Sequence, residues 1–264
     1  MPTRGEDRKL ELPVLLVGRF KKFQSSFLIV FLLIIQLKGV KICPNMTEGA
    51  GLLLIGGEGP ERGLLEPILG TITYTIAADS GFDLARKLDL RPDLLVGDLD
   101  SLQPSKELRA FPQKRIRRYP REKDETDTEI GLRILWEMGY RRTVVAGGGG
   151  GRLDHLLGVL ALFQREKRPT AWYTSKEQIQ VVEGTQIITD CLGQTVSFFP
   201  LGGSATGLSS QGLKWSLDGL EWDYGDVALS NVFSEDPCTV SVKQGRLLMV
   251  RTLVGEEDAR KNQA

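Results

Sequence analysis

The feature that most constrains this chain is a change of period. From Leu52 to about Glu177, short apolar runs rich in β-branched residues alternate with stretches of helical spacing. After about Glu177 the helical period disappears. The runs LLLI (52–55), TITYTIAA (71–78), DLLV before Gly97, TVVA (143–146) and TAWYT (170–174) read as strands, with RIRRY (115–119) as an edge strand. Helices are expected at about 81–88, 126–138 and 153–163. The second of these carries a capping box, with Thr126 at the N-cap and Glu129 three residues on. Strands alternating with helices imply a mainly parallel, doubly wound sheet. Beyond residue 177 the runs QIQVV, TQIIT, TVSFFP, GLKWSL, VALSNVF, CTVSVK and RLLMVRTL are separated by turn residues, which predicts an all-β sandwich or barrel. The expected organisation is an extension over 1–45, an α/β domain over 46–177, a β domain over 178–254 and a charged tail over 255–264.

The extension is set apart by Arg19, Lys21 and Lys22 preceding the apolar run FLIVFLLII (27–35). A membrane-crossing helix needs roughly 20 apolar residues, so this run is too short. Three readings stay open: an extension removed or never made, with synthesis starting at Met46; a weak anchor; or an integral element. The first is preferred, because no motif falls before residue 46.

Charge and composition remove several function classes. Lys+Arg and Asp+Glu balance at 34 each, so no basic field draws the chain to nucleic acid. His155 is the only histidine, which excludes a histidine-ligated metal cluster. Cys43, Cys191 and Cys238 form no C-x-x-C pair and read as idle thiols in a reducing cytoplasm.

The aspartates are the informative residues. Asp79 follows one expected strand, and Asp98 and Asp100 follow the next, in GDLDS (97–101). Asp127 lies in the first turn of a helix and Asp154 opens another. In an open parallel sheet, ligands bind outside the carboxyl ends of the strands, so all five can converge on one crevice. Taken singly, each is more often a turn or N-cap residue. Together they repel one another unless a cation intervenes, and Mg²⁺ pairs carboxylates with substrate phosphates. The D-x-D pair is expected to point one way, as alternate residues of an extended segment do. The loop AGGGGGRLDH (146–155) adds backbone N–H groups for phosphate oxygens and a forked cation in Arg152. It is no Walker A loop, since Gly151-Arg152-Leu153 stands where G-K-[ST] would be.

In chain order, AADSGFD (77–83), GDLDS (97–101), KDETDTE (123–129), GGGGGRLDH (147–155), GLKWSL (212–217) and LSN (229–231) resemble the thiamine pyrophosphokinase family. The resemblance implies diphosphate transfer from ATP to thiamine, giving thiamine diphosphate and AMP. It implies Asp79, Asp98 and Asp100 as Mg²⁺ ligands, and Asp127, Asp100, Asp98 and Arg152 as catalytic residues. ATP would be held by Asp79, Ser80, Ser101, Thr126, Gly150, Gly151, Arg152, Asp154 and His155. Thiamine would be held by Trp215, Ser230 and Asn231, with the site shared across a homodimer. Phe82 stands where a small residue is common, and the glycine run is uninterrupted, which leaves loop shape open. The rival readings are diphosphate transfer to another alcohol, such as a hydroxymethylpterin, and a non-catalytic nucleotide or thiamine diphosphate sensor. GLKWSL with LSN favours thiamine, and five retained aspartates favour catalysis. For Trp215 the bland alternative is β-core packing.

Overall fold

The computed structural model describes residues 49–102 and 104–253. The segment read as an extension, and the tail beyond 253, lie outside the described residues. Five parallel pairings build the first part. β1 (Ala50–Leu54) lies between β2 (Ile72–Ala78) and β5 (Arg142–Ala146). β3 (Leu94–Gly97) and β4 (Ile116–Arg118) extend the β2 side, and β6 (Ala171–Tyr173) extends the β5 side. The spatial order is therefore β6-β5-β1-β2-β3-β4. The chain leaves β1 in one direction and returns on its other side, so a topological switch point falls between β1 and β5.

Alternation along β1 sorts the two faces. Leu53 joins a core with Ile76, Ile130, Ile134, Val159 and Phe163. Leu52 and Leu54 join the opposite core, with Leu65, Leu84 and Ala85. The first face is covered by α4 (Asp127–Glu137) and α5 (Leu153–Leu162), and the second by α1 (Arg62–Leu69) and α2 (Gly81–Lys87). Helices on both faces make the sheet doubly wound, as the alternating pattern predicts. Phe82 is buried and packs edge-on against Phe111 at 5.4 Å, so its bulk belongs to a core and not to the site. Two helices go beyond the sequence reading. α1 is short and carries Pro67 inside it, a residue that argues against a helix, and α3 (Lys106–Ala110) buries no residue and so has no core-facing stripe.

The second part is antiparallel. β7 (Glu177–Ile188) and β11 (Cys238–Thr252) pair along most of their lengths. β8 (Thr195–Pro200) lies on the other side of β11, followed by β10 (Ala228–Val232). β9 (Ser209–Gln211) joins β11 at Thr239–Ser241. QIQVV and TQIIT turn out to be one strand, as do CTVSVK and RLLMVRTL, because Gly184 and the irregularity between Val242 and Leu247 bend the ladder without ending it. GLKWSL is not a strand; it turns, touching the ladder through a single Leu213–Phe233 bridge. These strands enclose their own core, centred on Phe198, Phe233, Val240 and Met249. β7 also pairs with β6 through Gln178–Gln180, so hydrogen bonding runs on from one part to the other.

Candidate active site

Five chain segments leave the carboxyl ends of β1, β2, β3, β4 and β5 and surround a cleft of about 870 Å³. Asp79, Asp98, Asp127, Asp154, Arg152 and His155 line it together with Ser80 and Thr126. The convergence expected from the strand ends is thus observed. It is tightest for Asp79, Asp98 and Asp100, which can each offer an oxygen within 4.8 Å of the others.

Local backbone explains that closeness. Asp79 takes φ +48° and Leu99 φ +66°. A leucine in the left-handed region costs on the order of 1–3 kcal/mol, which the surrounding structure has to offset. The D-x-D pair is therefore assembled by a strained turn and not by an extended segment, a correction to the sequence reading. The turn is closed by the Asp100 N–H donating to Asp98 Oδ1 at 3.1 Å. That bond is the main reason the Asp98 carboxyl sits below its ordinary range. Ser101 Oγ donates to Asp79 Oδ2, while Asp79 Oδ1 is buried without a hydrogen bond. Gly97, at φ +135°, packs beneath: a Cβ there would stand 3.3 Å from both Asp127 Cγ and Asp79 Cβ.

Asp127 opens α4, and its neighbour Thr126 is the N-cap. The Thr126 hydroxyl accepts from the Glu129 N–H at 3.2 Å and donates to Glu129 Oε2 at 2.9 Å. Glu129 Oε1 in turn takes Arg165 at 2.5 Å, tying α4 to the end of α5. Thr126 is therefore committed to the helix start. Burial pushes the Asp127 carboxyl above its ordinary range, opposed by Lys123 and reinforced by Asp79 and Asp98. Lys123 Nζ lies 3.2 Å from Asp127 Oδ1, close enough for an ion pair, although that oxygen makes no aligned hydrogen bond.

The glycine run forms the opposite wall. Gly147 turns at φ +115°, where a Cβ would lie 2.2 Å from the Ile55 carbonyl oxygen. The strand-to-helix loop is thereby pressed against the end of β1. Glu58 and Gly149 exchange backbone hydrogen bonds at 2.7 and 2.8 Å, and Gly148 N–H donates to the Gly56 carbonyl at 2.8 Å. Two glycine loops from adjacent strands thus interlock at the switch point. Gly56-Gly57-Glu58-Gly59 is not among the site residues expected from the sequence; its position after the central strand was the available signal. Gly148 and Gly151 line the cleft, whereas Gly150, Asp100 and Ser101 stand outside its wall. Arg152 clasps Asp154 at 3.1 and 2.5 Å on the exposed rim, which holds that carboxyl below its ordinary range. The His155 N–H also donates to Asp154 Oδ1, so this aspartate shapes the helix start as well.

Trp215, Ser230 and Asn231 meet elsewhere. None of them lines the cleft. Asn231 is 3% exposed; its Nδ2 donates to the Trp215 carbonyl at 2.7 Å, and its Oδ1 accepts from the N–H groups of Trp215 at 3.1 Å and Val232 at 2.8 Å. Trp215 is 54% exposed, so core packing does not explain it. Lys214 Nζ rests 4.6 Å from its centroid, which marks the ring as a cation-accepting face. Ser230 is left-handed at φ +58°, and its N–H donates to Ser197 Oγ at 3.1 Å.

Residues 65–173 match the family described as thiamin pyrophosphokinase, catalytic domain, and residues 178–247 match its vitamin B1 binding domain. Among solved structures, thiamin pyrophosphokinase from Geobacillus thermodenitrificans is 27% identical, with a TM-score of 0.64 over 78% of this chain and 99% of that one. A thiamin pyrophosphokinase family protein from Enterococcus faecalis is 26% identical, with a TM-score of 0.64 over 78% and 100%. The yeast enzyme, at 19% identity and a TM-score of 0.57 over 80% and 88%, shares the fold. Among the curated proteins none matches.

Proposed function

The chain belongs to the thiamin pyrophosphokinase family, and we propose how its residues carry out that reaction. The enzyme transfers the diphosphate of ATP to the hydroxyethyl oxygen of thiamine, giving thiamine diphosphate and AMP. The observation that carries the assignment of roles is the convergence of Asp79, Asp98 and Asp100 at the carboxyl ends of β2 and β3.

These three carboxylates are proposed to hold Mg²⁺. All donors are hard oxygens, and the buried, unpaired Asp79 Oδ1 is a ligand atom without another partner. Bound there, the ion supplies positive charge to the polyphosphate oxygens. The interlocked glycine loops and the start of α5 accept the rest of the nucleotide, with Arg152 and His155 at the rim. Residues 46–177 thus serve the nucleotide and 178–254 serve thiamine.

Asp127 is proposed to accept the proton of the thiamine alcohol. Its Oδ1 is buried and lacks an aligned donor, and burial raises the affinity of its carboxyl for a proton, which favours its taking one from the alcohol. As the alcohol oxygen bonds to the β-phosphorus, the bond from that phosphorus to the oxygen bridging it to the α-phosphate breaks. The electron pair leaves with AMP, and the proton passes to Asp127. Trp215 supplies an aromatic face for the thiamine cation, worth on the order of 0.5–2 kcal/mol.

The same reading includes a homodimer. The thiamine residues stand apart from the cleft, and Trp215, Tyr224, Val227 and Leu229 are exposed nearby in sequence, as residues awaiting a partner surface would be. The unpaired, buried Cys191 and Cys238 fit a reducing, cytoplasmic setting. Incubation with ATP, Mg²⁺ and thiamine tests the reaction: AMP and thiamine diphosphate are expected. ADP with thiamine monophosphate would overturn it.

A further inference from the structure

Four cations line the cleft: Arg121, Lys123, Arg152 and Arg165. Their surroundings separate them. Arg152 is spent on Asp154 and Arg165 on Glu129, each at 2.5 Å. Arg121 reaches only to 3.5 Å from Asp100. The side chains of Arg121, Arg152 and Arg165 are 83%, 75% and 56% exposed, whereas that of Lys123 is 15% exposed. A lysine drawn out of water is costly unless its charge meets a partner. Its partner here is Asp127, at 3.2 Å.

The ammonium has three donors. One serves the Pro120 carbonyl at 2.9 Å and one faces Asp127 Oδ1. The third remains for a ligand in the cleft. The charge balance points the same way. Asp79, Asp98, Asp100 and Asp127 bring four negative charges, and a divalent ion offsets two of them. A polyphosphate entering that field needs a further cation that is not already committed to a rim carboxylate.

We propose that Lys123 is a phosphate-binding residue of this site, its ammonium donating to a non-bridging oxygen of the β-phosphate of ATP. The proposal deepens the reading above and rests on it, because Asp127 places Lys123 beside the phosphorus that the alcohol attacks. Lys123 thus neutralises charge on the group being transferred, and Asp127 is the seat that aims it.

The test titrates the full chain with MgATP and with AMP by calorimetry, for wild type, Lys123→Met and Lys123→Arg. AMP lacks the β-phosphate. Losing one charge-assisted hydrogen bond implies MgATP binding weaker by about tenfold or more in Lys123→Met. AMP affinity should stay within about twofold by the same reasoning, and Lys123→Arg should recover most of the MgATP loss. Equal losses for MgATP and AMP, or none for either, would overturn the proposal. If Lys123→Met does not fold, Lys123→Gln takes its place, with thermal melting as the check. Wild-type formation of thiamine diphosphate, measured in parallel, separates the two levels. Lys123-dependent MgATP binding without that product would refute the family reaction and leave the Lys123 assignment standing.

Discussion

Replacing Asn231 with leucine separates positioning from contact at the thiamine-binding end. Leucine matches the volume but cannot serve the Trp215 N–H and carbonyl or the Val232 N–H, which Asn231 now satisfies through three hydrogen bonds at 2.7–3.1 Å. Each such bond contributes a net of about 1 kcal/mol. Water reaches the Trp215 loop once it loosens, so the abandoned backbone groups do not bear their full desolvation penalty. The expected loss is therefore about 3 kcal/mol, a fall in Tm of roughly 6–12 °C for a folded body of this size. Thiamine KM should rise as Trp215 loses its anchor. Trp215→Ala is the paired control: truncating a half-exposed residue leaves the fold intact, so Tm should hold while thiamine KM rises roughly tenfold, for a loss of about 1–2 kcal/mol. Differential scanning calorimetry and steady-state kinetics on both variants decide. An Asn231→Leu protein that melts within about 2 °C of wild type would show that the three bonds do not hold the loop, since one such bond alone is worth that much.

Two further outcomes follow from the nucleotide cleft. Gly97→Ala puts a methyl 3.3 Å from Asp127 Cγ and Asp79 Cβ on backbone at φ +135°, so it should cost about 1–3 kcal/mol and cut turnover more than it raises ATP KM; unaltered kinetics would separate Gly97 from the site. Asp127→Asn should abolish turnover yet raise stability near pH 7. The folded carboxyl sits above its unfolded value, so its stabilising contribution is present at acid pH and lost as pH rises through the raised value. The variant's advantage in Tm should therefore shrink towards acid pH, and an advantage constant with pH would contradict the shift.

The cleft was largely legible because its chemistry sits where topology puts ligands. Asp79, Asp98 and Asp127 stand at strand ends or a helix start, and alternation alone places those ends together. What stayed hidden depends on backbone that residue patterns do not encode. The left-handed Leu99 brings Asp98 and Asp100 together by a turn that an alternating pattern does not reveal. The Gly56–Gly57 loop gains meaning only from Gly148 and Gly149, more than ninety positions later, across the β1–β5 pairing. Thr126 looked like a ligand residue and a cap at once, and its hydroxyl is fully engaged as the cap. Lys123 was visible inside KDETDTE, but its burial against Asp127 was not.

The change of period near residue 177 marks a change from parallel to antiparallel pairing without a break in the sheet. β7 donates its first residues to β6 and then runs with β11 as far as Ile188. On that same β7, Gln178 bonds Tyr173 of the parallel part and also takes Arg251 of β11. The Arg251 side chain is half-buried, and that burial lowers its affinity for its proton. A cation in that position would be expelled unless Gln178 and the Thr189 carbonyl, which it reaches at 3.2 Å, held it. Polar groups are therefore spent where the helical pattern ends, and they fix one register between the parallel and antiparallel halves. Asp79, Asp98 and Asp127 are set by the parallel half, and Trp215 by the antiparallel half. A shared register keeps the separation between those two sets of residues constant within one chain.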